Sequence, residues 1–128
     1  MKKLFLFLTI ICSISFYAQS TIKITTKKCV PKKGFHLRLK AVFDDSRCPE
    51  NVQCIWAGEV SSIIEVYKDK KLVEEKDIIF NAINRVENIK WFEKYLSKKI
   101  KVIGVMPYPK DGVKVKPKKQ YIRIVFTD

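Results

Sequence analysis

Residues 44–59 read DDSRCPENVQCIWAGE, and runs of alternating apolar and polar residues lie on either side of them. The stretch contains two of the four cysteines, one of the two tryptophans, a proline and a glycine. This choice of residues is not typical of a strand, a helix or a polar tail. We therefore expect an ordered loop between two strands. Gly58 predicts a bulge, or a point at which another backbone approaches closely.

The segments around this loop have the two-residue period of half-buried strands. We predict strands over residues 20–27, 35–44, 54–68, 72–80, 100–106 and 121–126. Alternate residues of the second strand are expected to lie on one side of it: Leu37, Leu39, Ala41 and Phe43. Alternate residues of the third strand are also expected to share a face: Val60, Ser62, Ile64 and Val66.

Residues 84–97 change to the spacing of an amphipathic helix. Val86, Phe92 and Leu96 recur on one helical face, and Asn84 stands where a capping residue is expected. The alternative for this segment is an irregular connection. Six or seven short strands, one short helix at about 84–97 and no βαβ alternation predict a mainly β protein. We expect an antiparallel β-sandwich or small barrel.

Residues 1–18 have the pattern of a secretory signal peptide. Two lysines precede a mainly apolar, uncharged run that is too short to span a hydrocarbon core of ~30 Å. Cleavage near Ala18 leaves residues 19–128 as a single secreted β domain, so we expect a secreted or periplasmic protein. A lipoprotein is the alternative, although Ile11, which is not small, precedes Cys12.

An oxidising compartment makes a disulfide the default for the remaining cysteines. Cys29, Cys48 and Cys54 allow three single pairings. We favour Cys48–Cys54, because turn-favouring residues lie between them, and closing this loop contributes about 2 kcal/mol in the chain-entropy model. Cys29 is then a thiol, expected to be a small buried residue. A zinc site built from these cysteines and His36 is an alternative, but the spacing matches no common zinc motif.

The chain is strongly basic. Its formal charge of +13 falls to +11 when the two lysines of the signal are removed. Residues 107–120, which we term the lysine loop, contain three prolines and five lysines opposed by Asp111 alone. These lysines are the candidate contact with an anionic glycan or lipid headgroup: Lys110, Lys114, Lys116, Lys118 and Lys119. The competing interpretation is a solvated surface that only confers solubility.

The central stretch supports a structural and a functional interpretation. In the structural one, a cystine pins a corner between two strands, Trp56 fills the core and Arg47 pairs with Asp44 or Asp45. In the functional one, the disulfide rigidifies a recognition loop, and a rigid loop loses less entropy on binding. The candidate contact residues of that loop are Arg47, Glu50, Asn51 and Gln53.

The string DSRCPENVQCIWAG at residues 45–58 resembles a motif, DSRCPxxVxCIWAG, of a family of small secreted bacterial proteins of uncharacterised function. Residues 103–109, IGVMPYP, and the closing strand are similar to that family's second half. The resemblance covers roughly residues 34–68 and 99–127. It implies no activity. The helical segment departs from the family's pattern.

Motifs for catalysis are not evident in the sequence. His36 is the only histidine, and no serine or reduced cysteine lies near it in the chain. We expect a binding or accessory domain rather than an enzyme, with no cofactor, no metal and no specific nucleic acid. One alternative is a small proteinaceous inhibitor of a secreted enzyme, which predicts a tight protein partner. The other is a carboxylate-dependent enzyme using residues such as Glu50, Glu59 and Glu65, which predicts a pocket with two carboxyl groups.

Overall fold

The computed structural model of the protein describes residues 19–27 and 29–128, so the predicted signal peptide lies outside the described residues. The described residues form six strands: β1 (Thr21–Ile24), β2 (Phe35–Phe43), β3 (Val60–Lys68), β4 (Lys71–Phe80), β5 (Ile100–Met106) and β6 (Tyr121–Phe126). They also form an α-helix, α1 (Arg85–Leu96), which follows β4 in the sequence. A short 3-10 helix (Pro117–Lys119) lies in the lysine loop.

Strand pairing is antiparallel throughout and gives two three-stranded sheets. Their strand orders are β1-β6-β5 and β2-β3-β4. Apolar side chains from both sheets belong to one core cluster. The prediction of a mainly β, antiparallel sandwich is therefore confirmed. The described strands do not close into a barrel, because each sheet keeps two edges.

The core is formed by apolar side chains of β2, β3 and β4 on one side and of β1, β5 and β6 on the other, together with side chains of α1. The predicted face of β3 is confirmed, since its members are all buried: Val60, Ser62, Ile64 and Val66. Opposite them, Val105, Ile122 and Ile124 are also almost completely buried. Each such aliphatic side chain contributes about 1.5–3 kcal/mol by leaving water. Packing between the two sheets and α1 therefore stabilises the fold.

The predicted face of β2 is correct only in its first half. Leu37 and Leu39 are buried, but the pairing with β3 shifts register between Leu39 and Ala41. A bulge inserts one residue and turns the following side chains to the other side of the strand. Val42 consequently packs against the core, whereas Phe43 is exposed.

Helix α1 confirms the predicted helix, with ends that differ by one residue. Phe92 is completely buried in the core, while Val86 is exposed. Asn84 occupies the N-cap position, as predicted, but its side chain makes no capping hydrogen bond. Instead, the Asn84 N–H donates to the Asn81 Oδ1 atom at 2.7 Å. No helix in the described residues is long and apolar enough to cross a membrane.

Helix α1 is fastened to the edge strand β4 by polar side chains. The Trp91 Nε1–H group donates to one oxygen of Glu74 at 3.2 Å, and the Tyr95 hydroxyl donates to the other. The bond from Tyr95 holds the pKa of Glu74 below its ordinary value and raises the pKa of Tyr95 to about 12. Asn88 donates to the Ile79 carbonyl at 2.8 Å. These bonds position the short connection between β4 and α1, which forms one wall of the candidate site.

Candidate functional site

Residues 46–59 form an irregular hairpin before β3, which we term the cysteine hairpin. The Ser46 N–H donates to the Glu59 carbonyl at 2.8 Å, and the Cys48 N–H donates to the Ala57 carbonyl at 2.9 Å. The Ser46 Oγ atom accepts from the Glu59 N–H at 3.2 Å. The two arms therefore hold each other by backbone bonds outside the sheets. Because the second arm pairs with the first, the strand predicted to begin at residue 54 begins only at residue 60.

A disulfide closes the hairpin at its tip. Cys48 and Cys54 are bonded, as predicted, with Cα atoms 5.9 Å apart. This bond removes two of the four ligands of the zinc alternative, since zinc binds thiolates. Cys29 is a free thiol, but its expected burial is wrong, because it is exposed. It lies in the irregular connection between β1 and β2, and such connections run over the surface.

Gly58 allows the two arms of the hairpin to meet. Its φ angle is +73°, a conformation that favours glycine. A Cβ atom at this position would lie 2.0 Å from the Ser46 carbonyl oxygen. The prediction of a close backbone approach at Gly58 is therefore confirmed. The approach lies within the hairpin rather than within a strand.

Arg47 braces the hairpin against the end of β5. Its guanidinium pairs with the Asp45 carboxylate at 2.7 Å and donates to the Val105 carbonyl. It also lies over the Tyr108 ring, 5.0 Å from the centroid. Burial raises the pKa of Asp45, but the hydrogen bonds and charge of Arg47 outweigh burial and leave that pKa below its usual value. The pairing with Asp45 follows the structural interpretation, and the largely buried Arg47 side chain is not a free contact residue.

The tip of the hairpin rests on the lysine loop. The Glu50 N–H donates to the Pro109 carbonyl at 3.0 Å, and the Asn51 Oδ1 atom accepts from the Asp111 N–H at 2.8 Å. Asn51 thus contributes to the brace, and Glu50, Asn51 and Gln53 are all exposed. The candidate anion-binding side chains of the lysine loop are exposed: Lys110, Lys114, Lys116, Lys118 and Lys119. One of them, Lys110, lies 4.0 Å from the Glu50 carboxylate.

Trp56 lies outside the core, so the expectation that it fills the sandwich is wrong. The Trp56 side chain is 80 % exposed, and the neighbouring Ile55 is fully exposed. The physical reason is that β3 begins only at Val60, so Trp56 lies in the hairpin before the strand and does not face the core. The largest fully buried side chain is instead Phe92 from α1. An indole held in water by a braced hairpin is the feature that the structural interpretation does not explain.

Two adjoining clefts lie beside this hairpin. The first, of about 390 Å³, has walls that include Arg47, Arg85 and Tyr108. The second, of about 310 Å³, lies between Trp56 and Ile83. The clefts share four lining residues, two from the hairpin and two from the connection after β4: Ala57, Gly58, Asn81 and Ala82. The two clefts therefore adjoin, and we term them together the hairpin groove.

The wall of this groove opposite the hairpin, residues 81–85, was not predicted from the sequence. Ile83 is 88 % exposed and belongs neither to the period of β4 nor to that of α1. That mismatch is the signal that could have indicated a surface role. Arg85 is the first residue of α1 and is also exposed. Trp56 and Ile83 can bury apolar groups of a partner, and Arg85 can pair with an anion.

The comparisons with known proteins add no assignment. The chain matches no family model, no curated protein and no solved structure. The resemblance of residues 45–58 to a family of secreted bacterial proteins therefore stays an expectation.

Proposed function

We propose that this chain is a secreted or periplasmic binding domain that recognises a protein partner with its cysteine hairpin and uses Trp56 as the anchor. The observation that carries the proposal is the 80 % exposure of Trp56 on a hairpin closed by a disulfide. Tryptophan is enriched among the residues that dominate binding energy. A hairpin fixed before binding loses little entropy when it binds.

The proposed location is supported by the signal-like residues 1–18 and by the disulfide, which is stable in an oxidising compartment. The proposed binding role is also supported by Arg47. Its guanidinium holds the hairpin in place by pairing with Asp45 and donating to the Val105 carbonyl. The hairpin is thereby held without using Trp56. Trp56, which is 80 % exposed, stays available for a partner.

A small proteinaceous inhibitor of a secreted enzyme is the narrower form of the same proposal. A disulfide-closed loop with exposed Ile55 and Trp56 supports it, because such a loop can enter an enzyme's cleft. The carboxylate-dependent alternative gains no support from the five described clefts, each of which has at most one acidic lining residue. The proposal therefore concerns binding.

A second contact, with an anionic glycan or lipid headgroup, is proposed for the lysine loop. Its five lysines are all exposed, and an acidic side chain lies within 4.0 Å of one of them. Because the hairpin tip rests on this loop, an anionic surface bound there would leave Trp56 on a neighbouring part of the same end of the molecule.

The test is affinity capture from the native envelope fraction and culture medium with the oxidised mature chain. Trp56→Ala is compared with Leu72→Ala, which removes another exposed apolar side chain far from the groove lining. We expect proteins retained by the wild type and by Leu72→Ala to be lost with Trp56→Ala. Their affinity should fall by about 30-fold or more, as for a typical hot spot. Equal retention by all three chains would exclude the hairpin as the binding surface.

A further inference from the structure

The hairpin groove has two chemically different ends. The end between Trp56 and Ile83 is mainly apolar, and Glu59, which also lines it, accepts a hydrogen bond from Asn81 at 3.0 Å. The other end is lined by two arginines and by no carboxylate. Four shared lining residues place the two ends side by side, within the reach of one extended peptide.

The two arginines at the charged end of the groove, Arg47 and Arg85, are not equally free to bind a ligand. Arg47 is paired with Asp45 and bonded to β5, so its charge is already used. Arg85 is exposed, and in the described part of the chain no carboxylate lies within 4.0 Å of it. A guanidinium in this position favours a planar anion such as a carboxylate, which it can bind with two parallel hydrogen bonds.

The groove also follows an edge of a sheet. The strand order β1-β6-β5 places β5 at an edge. Arg47 occupies the Val105 carbonyl of this strand, and Val102 and Ile103, nearer its middle, line the charged end of the groove. An edge strand can pair with an extended segment of another chain, whose alternate side chains then enter pockets on one side. The occupant that fits an edge strand, an apolar cleft and a free guanidinium is an extended acidic peptide segment.

We infer that the hairpin groove binds an extended segment of the partner protein, which places an apolar side chain between Trp56 and Ile83 and a carboxylate beside Arg85. This inference rests on the proposed function, because it assumes that Trp56 is a contact residue. Beyond the proposed function, it specifies that the partner's binding segment is extended, apolar and acidic. The formal charge of the mature chain, +13 less the two signal lysines or +11, supports the approach of an acidic segment.

The test uses two defined peptide pools and the oxidised mature chain on a solid support. The acid pool consists of end-capped decapeptides that mix Leu, Ile and Phe with Asp and Glu. The amide pool has Asn and Gln in place of the acids. Retained peptides are quantified for the wild type, Arg85→Gln, Arg85→Lys and Trp56→Ala. The matched control is Lys90→Gln, which removes an exposed charge from the same helix but outside the groove lining.

The wild type should retain the acid pool about tenfold better than the amide pool, as expected for one hydrogen-bonded charge pair. Arg85→Gln should remove this preference, whereas Arg85→Lys should keep part of it and Lys90→Gln all of it. Equal retention of both pools by the wild type, or an equal effect of Lys90→Gln and Arg85→Gln, would overturn the inference. Trp56→Ala should lower retention of both pools; if it does not, the proposed function fails even where the preference at Arg85 is found.

Discussion

Replacing Gly58 with alanine should open the cysteine hairpin. The added Cβ atom would lie 2.0 Å from the Ser46 carbonyl oxygen, and ordinary contacts of a Cβ atom begin at 3.4 Å. The obstructing atom belongs to the backbone, so no side-chain rotation relieves the clash. The arms must separate, and the paired bonds between Ser46 and Glu59 must lengthen or break.

The cost of this change has two parts. An alanine at a φ of +73° is strained by about 1–2 kcal/mol. Separation of the arms loses two or three hydrogen bonds, each with a net contribution of about 1 kcal/mol. The free energy of unfolding of Gly58→Ala should therefore fall by about 3–5 kcal/mol.

The measurement is urea unfolding of the oxidised chain, together with hydrogen exchange at the Ser46 and Cys48 amides. Gly112→Ala is the matched control, since Gly112 has a φ of +72° and a Cβ atom there meets nothing within 4 Å. The control should lose only the backbone part, about 1–2 kcal/mol. If Gly58→Ala and Gly112→Ala unfold with the same free energy and the hairpin amides stay protected, the close approach is not a constraint on this chain.

Trp56→Ala should change the free energy of unfolding by no more than about 0.5 kcal/mol in the same assay, because most of the indole is already in water; a loss above about 3 kcal/mol would return Trp56 to the core. Glu74 has a lowered pKa because Tyr95 donates to it, so its stabilising effect is present above the unfolded pKa and is lost as the pH falls. Glu74→Gln should accordingly weaken the dependence of stability on pH in the acid range, and an unchanged dependence would contradict this assignment. Exchanging the five lysines of the lysine loop for Gln should lower the salt concentration of elution from heparin, since exposed charges are screened over ~8–10 Å near physiological ionic strength; identical elution would exclude the loop as an anion contact.

The period of the hydrophobic pattern was sufficient to predict the six strands and the helix, but not which strands pair or where β3 begins. β5 and β6 have the predicted bounds, and α1 differs by one residue at each end. Prediction failed where a single backbone irregularity changes the face of a strand. The bulge after Leu39 exposes Phe43, and nothing in the alternation of β2 indicates which residue is inserted.

The errors at Trp56 and Cys29 have one origin. Both residues were assigned to the interior because of their type, since tryptophan and cysteine are commonly buried. Burial, however, depends on where the chain enters a sheet. Trp56 precedes the start of β3 and Cys29 follows the end of β1, so both lie in connections at the surface. Residue type alone does not contain that information.

The exposure of Trp56 is informative because the hairpin that contains it is held rigidly. An exposed aromatic residue on a mobile loop is an ordinary surface feature. The cysteine hairpin, in contrast, is constrained by a disulfide, by a close approach at Gly58 and by the ion pair of the largely buried Arg47 side chain with Asp45. None of these constraints buries the indole, so they do not serve to bring it into the core. Chains commonly depart from local rules of burial where a site must be presented to a partner. A rigid hairpin that keeps a tryptophan in water is therefore better explained by recognition than by stability.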